Sequence, residues 1–110
     1  MISYQNPDLT QHPPRSPRSR LGGYVHLPRL LDKARAHAAG KLGEYVWNCS
    51  LDQRFYAFAG INADQILAAV KVGRGDAEMR DWLAATPQAK RTAWARAAWS
   101  RWLVDLAPAG

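Results

Sequence analysis

Residues 50–73 read SLDQRFYAFAGINADQILAAVKVG, and this stretch predicts two consecutive helices. Each half opens with a residue that can cap a helix and has a glutamine three positions later, which is the capping-box pattern: Ser50 with Gln53, and Asn62 with Gln65. A glycine follows each apolar run, at Gly60 and Gly73, where helices commonly end. Helices this short are unstable alone, so packing between them must hold the fold.

The flanking sequence predicts three more helices and little strand. One begins near Pro28 and ends at Gly40, another starts with Asp76 as its cap, and the last is capped by Thr86 and runs to about Leu106. Residues 43–49 contain Tyr-Val-Trp, which favours an extended backbone. The predicted fold is therefore mostly α, a small bundle of about five helices with one short extended segment.

The last predicted helix has one apolar arc that we expect to face the core. Its members share one side of the helical wheel: Ala95, Trp99, Trp102, Leu103 and Leu106. Trp94 falls outside this arc, beside Lys90 and Arg101, and is therefore expected on the surface. An exposed tryptophan can serve as the contact of a homodimer, which is one open possibility.

Residues 1–23 form a basic, proline-rich arm that we expect to pack on or near a single helical domain of residues 24–110. Four prolines limit regular structure in the arm, and Gly22-Gly23 closes it. Arg15, Arg18 and Arg20 supply half of the excess positive charge of the chain, whose net charge is +6. Such an excess attracts phosphates or acidic ligands.

Composition also limits the class of protein. The 110 residues leave room for one domain, and 47% hydrophobic residues suffice to close one core. The sequence shows no signal peptide and no apolar run long enough to cross a membrane. Cys49 is the single cysteine, so no internal disulfide can form, which fits a cytoplasmic protein.

Polar residues concentrate between Asp32 and Arg54, and together with the arm they predict a small-ligand site. We expect catalytic chemistry, if there is any, at Glu44, Asp52 and Cys49. The predicted ligand-binding residues are Arg15, Arg18, Tyr24, Asp32, Arg35, Tyr45, Asn48, Gln53 and Arg54. The arginines suit an anionic group, and the tyrosines and amides would orient it.

Alternatives remain at this site. Asp32, Arg35 and Arg54 could equally form a structural network, and Cys49 could be a packed thiol instead of a nucleophile. The histidines lack a ligand spacing, so no metal site is predicted, and no motif identifies a cofactor. Whether the domain is an enzyme is left open.

The main alternative function is binding of nucleic acid or a protein partner through the basic arm and the last helix. Arginines and lysines occur in both segments, and aromatic side chains near them can stack on unpaired bases. The helical wheel scatters the basic residues of the last helix, so they form no single stripe.

Several short polar motifs of the sequence resemble those of a bacterial family known only as domain of unknown function 5069. These motifs occur in order along the chain: PRSPR at 14–18, LGGYV at 21–25, LPRLLDKAR at 27–35, GEY at 43–45, NC at 48–49, LDQRF at 51–55, and Phe58 with Gly60-Ile61. The resemblance covers roughly residues 8–83. It implies a bacterial protein and brings no activity, cofactor or partner with it.

Overall fold

The computed structural model describes residues 6–86 and 93–106, which contain five helices and one two-stranded antiparallel sheet. Their order is β1 Arg20–Leu21, β2 Tyr24–Val25, α1 Leu27–Ala38, α2 Ser50–Ala59, α3 Ala63–Lys71, α4 Asp76–Ala85 and α5 Ala93–Leu106. The prediction of a mostly α fold of about five helices is confirmed. The division of the chain at residue 23 stays a prediction.

The capping box predicted for α3 is present. The Asn62 side chain accepts a hydrogen bond from the Gln65 amide at 2.9 Å, and the Asn62 amide donates to the Gln65 side chain at 2.9 Å. These two bonds satisfy amides that the first turn of a helix leaves without partners.

Two other predicted caps are wrong. Ser50 is the first residue of α2 and Cys49 is its N-cap, while the Gln53 side chain donates to the Asn48 carbonyl at 2.8 Å. At α4 the N-cap is Gly75, whose amide donates to Glu78 at 3.2 Å, so Asp76 can turn its carboxylate toward arginines.

The extended segment lies elsewhere than predicted. Residues 43–44 and 47–48 form turns and no strand occurs between them, because Gly43 and Asn48 both have a left-handed backbone, with φ of 65° and 62°. The strands are instead β1 and β2, which pair antiparallel around Gly22-Gly23. Both glycines have positive φ, 58° and 82°, as a tight two-residue hairpin requires.

The core forms around α1 and the hairpin. Leu30 and Leu31 of α1 are fully buried, as are Phe55 of α2 and Ile66 of α3. Helix α5 closes the other side, where the Trp99 indole donates to the Val25 carbonyl at 3.1 Å. The hairpin is thus held between helices and is part of the core.

Helix α5 follows its predicted apolar arc in part. Trp99 and Leu103 are buried and Ala95 is half-buried, but Trp102 is 38% exposed at the edge of the arc, leaning on Trp99. Trp94 is 75% exposed, as predicted.

The predicted start of this helix at Pro87 and the side chain of Leu106 lie outside the described residues. Thr86 follows α4 as its C-cap, and its hydroxyl donates to the Trp82 carbonyl at 2.8 Å.

Candidate functional site

The arm is joined to α1 and α4 by a network of two arginines and two aspartates. The Arg15 amide donates to Asp32 at 2.8 Å, and the Arg15 guanidinium donates to Asp32 at 2.9 Å and to Asp76 at 2.6 Å. Arg35 completes the set by donating to Asp76 at 2.8 Å. Asp32 is 1% exposed, so its charge depends on Arg15 for compensation.

Charge and hydrogen bonds within this network favour the ionised forms of Asp76 and Arg15. Burial alone would raise the pKa of Asp76, but hydrogen bonds and charge from Arg15 and Arg35 lower it below its ordinary value. Burial opposes the charged form of Arg15, and its hydrogen bonds to Asp76 and Asp32 outweigh this and raise its pKa. Three predicted ligand-binding residues, Arg15, Asp32 and Arg35, are therefore engaged in pairs that tie segments together.

A second polar cluster is enclosed between α1 and α2. Asp52 is fully buried; one carboxylate oxygen accepts from the Lys33 ammonium at 2.6 Å and the other contacts the His26 ring at 2.8 Å. Burial would raise the pKa of Asp52, but the hydrogen bonds and charges of His26 and Lys33 lower it. Both partners are themselves nearly inaccessible, so the Asp52 carboxylate does not contact the surrounding solvent.

Cys49 borders this cluster at the start of α2. Its sulfur lies 3.5 Å from the Lys33 ammonium, and the side chain is half-buried. Lys33 therefore contacts two of the predicted catalytic residues, although the sequence pattern assigned it no role.

Asn48 and Gln53, two of the predicted ligand-binding residues, stabilise the turn before α2. The Asn48 side chain accepts from the Tyr56 hydroxyl at 3.0 Å, and the Asn48 carbonyl accepts from Gln53. Burial, followed by the negative charges of Asp52 and Cys49, raises the pKa of the Tyr56 phenol. Asn48 and Gln53 thus hold a left-handed turn.

Three other predicted residues lie toward α5. Tyr24 is buried against Phe55 and Phe58. The Arg54 guanidinium lies 5.5 Å from the centre of the Trp102 ring, and Arg18 donates weakly to the Val104 carbonyl at 3.4 Å. These three do not join Glu44 and Tyr45 in one site.

Glu44 and Tyr45 line a cleft with the arm, which we call the arm cleft. Its volume is about 430 Å³, and its walls are Leu9, Thr10, His12, Pro13, Gly43, Glu44 and Tyr45. Glu44 is exposed and Tyr45 half-exposed, and the Arg29 guanidinium lies 5.8 Å from the centre of the Tyr45 ring. Arg29 and His12 were not among the predicted binding residues.

The two walls of the arm cleft approach each other closely. The Leu9 amide donates to the Lys41 carbonyl at 2.9 Å. A Cβ on Gly43 would lie 2.8 Å from the Leu9 carbonyl oxygen, closer than a methyl group can come. The arm and the 43–45 turn are thus fitted to each other at the base of the cleft.

A second, smaller cleft lies at the ends of α1 and α3. Its volume is about 250 Å³, and it is lined by Asn6, Arg35, Ala38, Ala39, Val70, Lys71, Gly73 and Arg74. The Arg74 guanidinium donates to the Ala69 carbonyl at 3.0 Å, so this cation completes the end of α3.

Residues 6–86 and 93–106 contain neither a metal-binding cluster nor a membrane-spanning helix. No group of three or more histidine, cysteine or carboxylate side chains in these ranges is arranged to hold a metal ion. None of the helices there has both the length and the apolar character needed to cross a bilayer.

These features define a small helical domain with two buried ion-pair clusters and a cleft beside its arm. The chain belongs to the DUF5069 family, described as a domain of unknown function, whose model matches residues 11–110. No curated protein matches the sequence. The resemblance inferred from the polar motifs is therefore confirmed, and the family description assigns no activity.

Proposed function

We propose that this domain binds a small anionic ligand in the arm cleft. The observation that carries the proposal is the cleft itself, an opening of about 430 Å³ at the junction of the arm and the 43–45 turn. Its lining includes Glu44 and Tyr45, two of the residues expected to contact a ligand, while Asp32 and Asp52 are enclosed among their own partners.

Arg29 supplies the positive charge for the ligand in this proposal and His12 supplies a ring nitrogen, in place of Arg15 and Arg35. Arg29 lies over the Tyr45 ring, and its guanidinium also donates to the Arg15 carbonyl at 3.2 Å, which holds it beside the arm. The pKa of Asp8 is lowered first by hydrogen bonds from Thr10 and then by the charges of Lys41 and His12. The permanent positive charges of Arg29 and Lys41 near the cleft support an anionic ligand.

Tyr45 orients the ligand in this proposal, and Glu44 is the group for acid or base chemistry. A catalytic acid or base must come within hydrogen-bond reach of the reacting proton. Glu44 lines the opening, whereas Asp52 is fully buried between Lys33 and His26. We also propose a reducing cytoplasm as the compartment, since Cys49 is half-buried and unpaired.

The test is a thermal-shift and calorimetric screen with inorganic phosphate, citrate and a nucleoside monophosphate. A ligand bound only by the folded state at 100 times its Kd adds about 2.7 kcal/mol of stability and raises the melting temperature. We expect His12→Gln and Tyr45→Phe each to reduce the shift produced by the ligand that binds. Glu44→Gln removes a like charge from the cleft and should not reduce that shift.

The matched control is Asp64→Asn, which neutralises an exposed carboxylate in the first turn of α3, outside the cleft lining. This variant should keep the full ligand-induced shift. The proposal fails if none of the three anions shifts the unfolding transition, or if His12→Gln and Tyr45→Phe keep the full shift as the control does.

A further inference from the structure

The hairpin of β1 and β2 carries a glycine tip that is open to solvent. Gly22 and Gly23 are both exposed, and their positive φ values give a tight turn without side chains. Ser100 of α5 holds the turn by donating to the Gly23 carbonyl at 3.2 Å. The tip is thus a turn of fixed backbone conformation that has no side chains of its own.

Arginines from two helices lie directly against this tip. A Cβ on Gly22 would come within 2.8 Å of the Arg80 side chain from α4, and one on Gly23 within 2.9 Å of Arg96 from α5. The Arg96 guanidinium also lies 5.8 Å from the centre of the Tyr24 ring. The glycines therefore admit both arginine side chains beside the hairpin.

Two arm arginines add to the same region. Arg20 lies in β1 and is exposed, and Arg18 lies two residues before it. We name Arg18, Arg20, Arg80 and Arg96 the arginine face. Arg80 pairs with Asp81 at 3.2 Å across a well-exposed contact, which water screens strongly. Four of the fifteen lysines and arginines of the chain thus lie around one hairpin, which makes this region attractive to anions.

Exposed aromatic rings lie on α5, the helix that packs on the hairpin. Trp102 is 38% exposed and leans on Trp99 at 5.2 Å between ring centres, while Trp94 is 75% exposed. The Arg54 guanidinium lies 5.5 Å from the Trp102 ring centre. A planar base can stack on such a ring only when it is unpaired.

We propose that the arginine face and Trp102 bind single-stranded nucleic acid. Arginine forks match the paired oxygens of a phosphate, and Gly22-Gly23 leaves room for Arg80 and Arg96 to lie against the hairpin. Aromatic rings on α5 favour unpaired bases over a duplex, an acidic protein or an anionic membrane. This function uses residues separate from the arm cleft, so either proposal can fail without the other.

The experiment measures binding of a fluorescently labelled 20-nucleotide single strand by anisotropy at several salt concentrations. The slope of log K against log salt is about −0.7 for each phosphate of a single strand that the protein neutralises. We expect Arg20→Gln and Arg80→Gln each to make the slope shallower by about that amount for all base sequences. Trp102→Ala removes a stacking ring and should weaken binding about fivefold or more without changing the slope.

The matched control is Lys71→Gln, which removes the same charge from an exposed residue at the end of α3. Circular dichroism melts confirm that each variant is folded before its binding is compared. The proposal is overturned if the control weakens binding as much as Arg20→Gln, or if a 20-base-pair duplex, polyglutamate or phosphatidylserine vesicles bind as tightly as the single strand. Absence of binding at about 50 mM salt, where electrostatic contacts are strong, also overturns it.

Discussion

Asp52 shows how a single buried carboxylate can organise part of the structure. Lys33 and His26 each contact one of its carboxylate oxygens, at 2.6 and 2.8 Å. Removing one member of such a buried pair leaves a charge without compensation and typically costs about 3–5 kcal/mol. The cluster therefore constrains how α1 and α2 can pack, and the adjacent Cys49 inherits a fixed position beside Lys33.

At the residue scale, the pKa values of two aspartates predict how the free energy of unfolding depends on pH. Asp52 and Asp76 have folded-state pKa values below their ordinary value of 3.8, so both add stability when ionised. That stability is complete well above the unfolded-state pKa and is lost as pH falls through the folded-state pKa. We expect the free energy of unfolding to decline from about pH 5 downward, as urea titrations at pH 7, 5, 4 and 3 will measure.

Asp52→Asn supplies the control for this dependence. The amide keeps the shape of the side chain but carries no titratable charge, so the variant should be less stable at pH 7 and should lose less on acidification. Equal pH slopes in the variant and the parent chain would show that Asp52 is not responsible.

At the scale of elements, left-handed glycines join segments that would otherwise clash. Gly43 has φ of 65°, and its Cα faces the carbonyl of Leu9 so closely that a Cβ would lie 2.8 Å from that oxygen. Gly73 has φ of 87° with nothing within 4 Å of a Cβ. Both positions require a backbone with positive φ, and they differ only in the space available for a Cβ atom.

Alanine substitution separates these two causes. Gly73→Ala introduces only the strain of a left-handed backbone, about 1 kcal/mol. Gly43→Ala also pushes the arm away from the 43–45 turn, and we expect it to cost at least about 1 kcal/mol more. Urea unfolding of both variants measures the difference, and equal losses would mean that the arm can move aside without cost.

At the scale of the whole molecule, the arm contributes to the folded core as well as to the cleft. Leu9 is 4% exposed, and Arg15 compensates an aspartate of α1 that is almost wholly buried. The arm therefore affects stability through apolar burial and, separately, through ion pairing.

Two truncations distinguish these contributions. A chain that begins after residue 13 loses Leu9, and burial of a leucine is worth about 1.5–3 kcal/mol. A chain that begins after residue 15 also loses Arg15 and leaves Asp32 unpaired, so we expect a further loss of about 3–5 kcal/mol. Thermal and urea unfolding of both chains measure the increments, and equal stability of the two would contradict the role given to Arg15.

Several parts of the fold and site could be predicted locally, and others could not. The Asn62–Gln65 capping box and the exposure of Trp94 follow from spacing along one helix. The β-propensity of residues 43–49 was misleading, because left-handed Gly43 and Asn48 interrupt that segment. The pairing of Arg15 with Asp76 joins residues 61 positions apart, and no local pattern specifies it.

Local sequence was enough to specify the helix content, most helix boundaries and the polar character of the 32–54 region, because capping and apolar periodicity act within a few residues. Tertiary packing was needed to establish which polar groups face a cleft and which neutralise one another. Charged side chains pair with whatever the fold brings near, so Asp52 is enclosed by Lys33 and His26, whereas Glu44 faces the arm. Long-range packing sets those neighbours, and residue type alone carries no information about them.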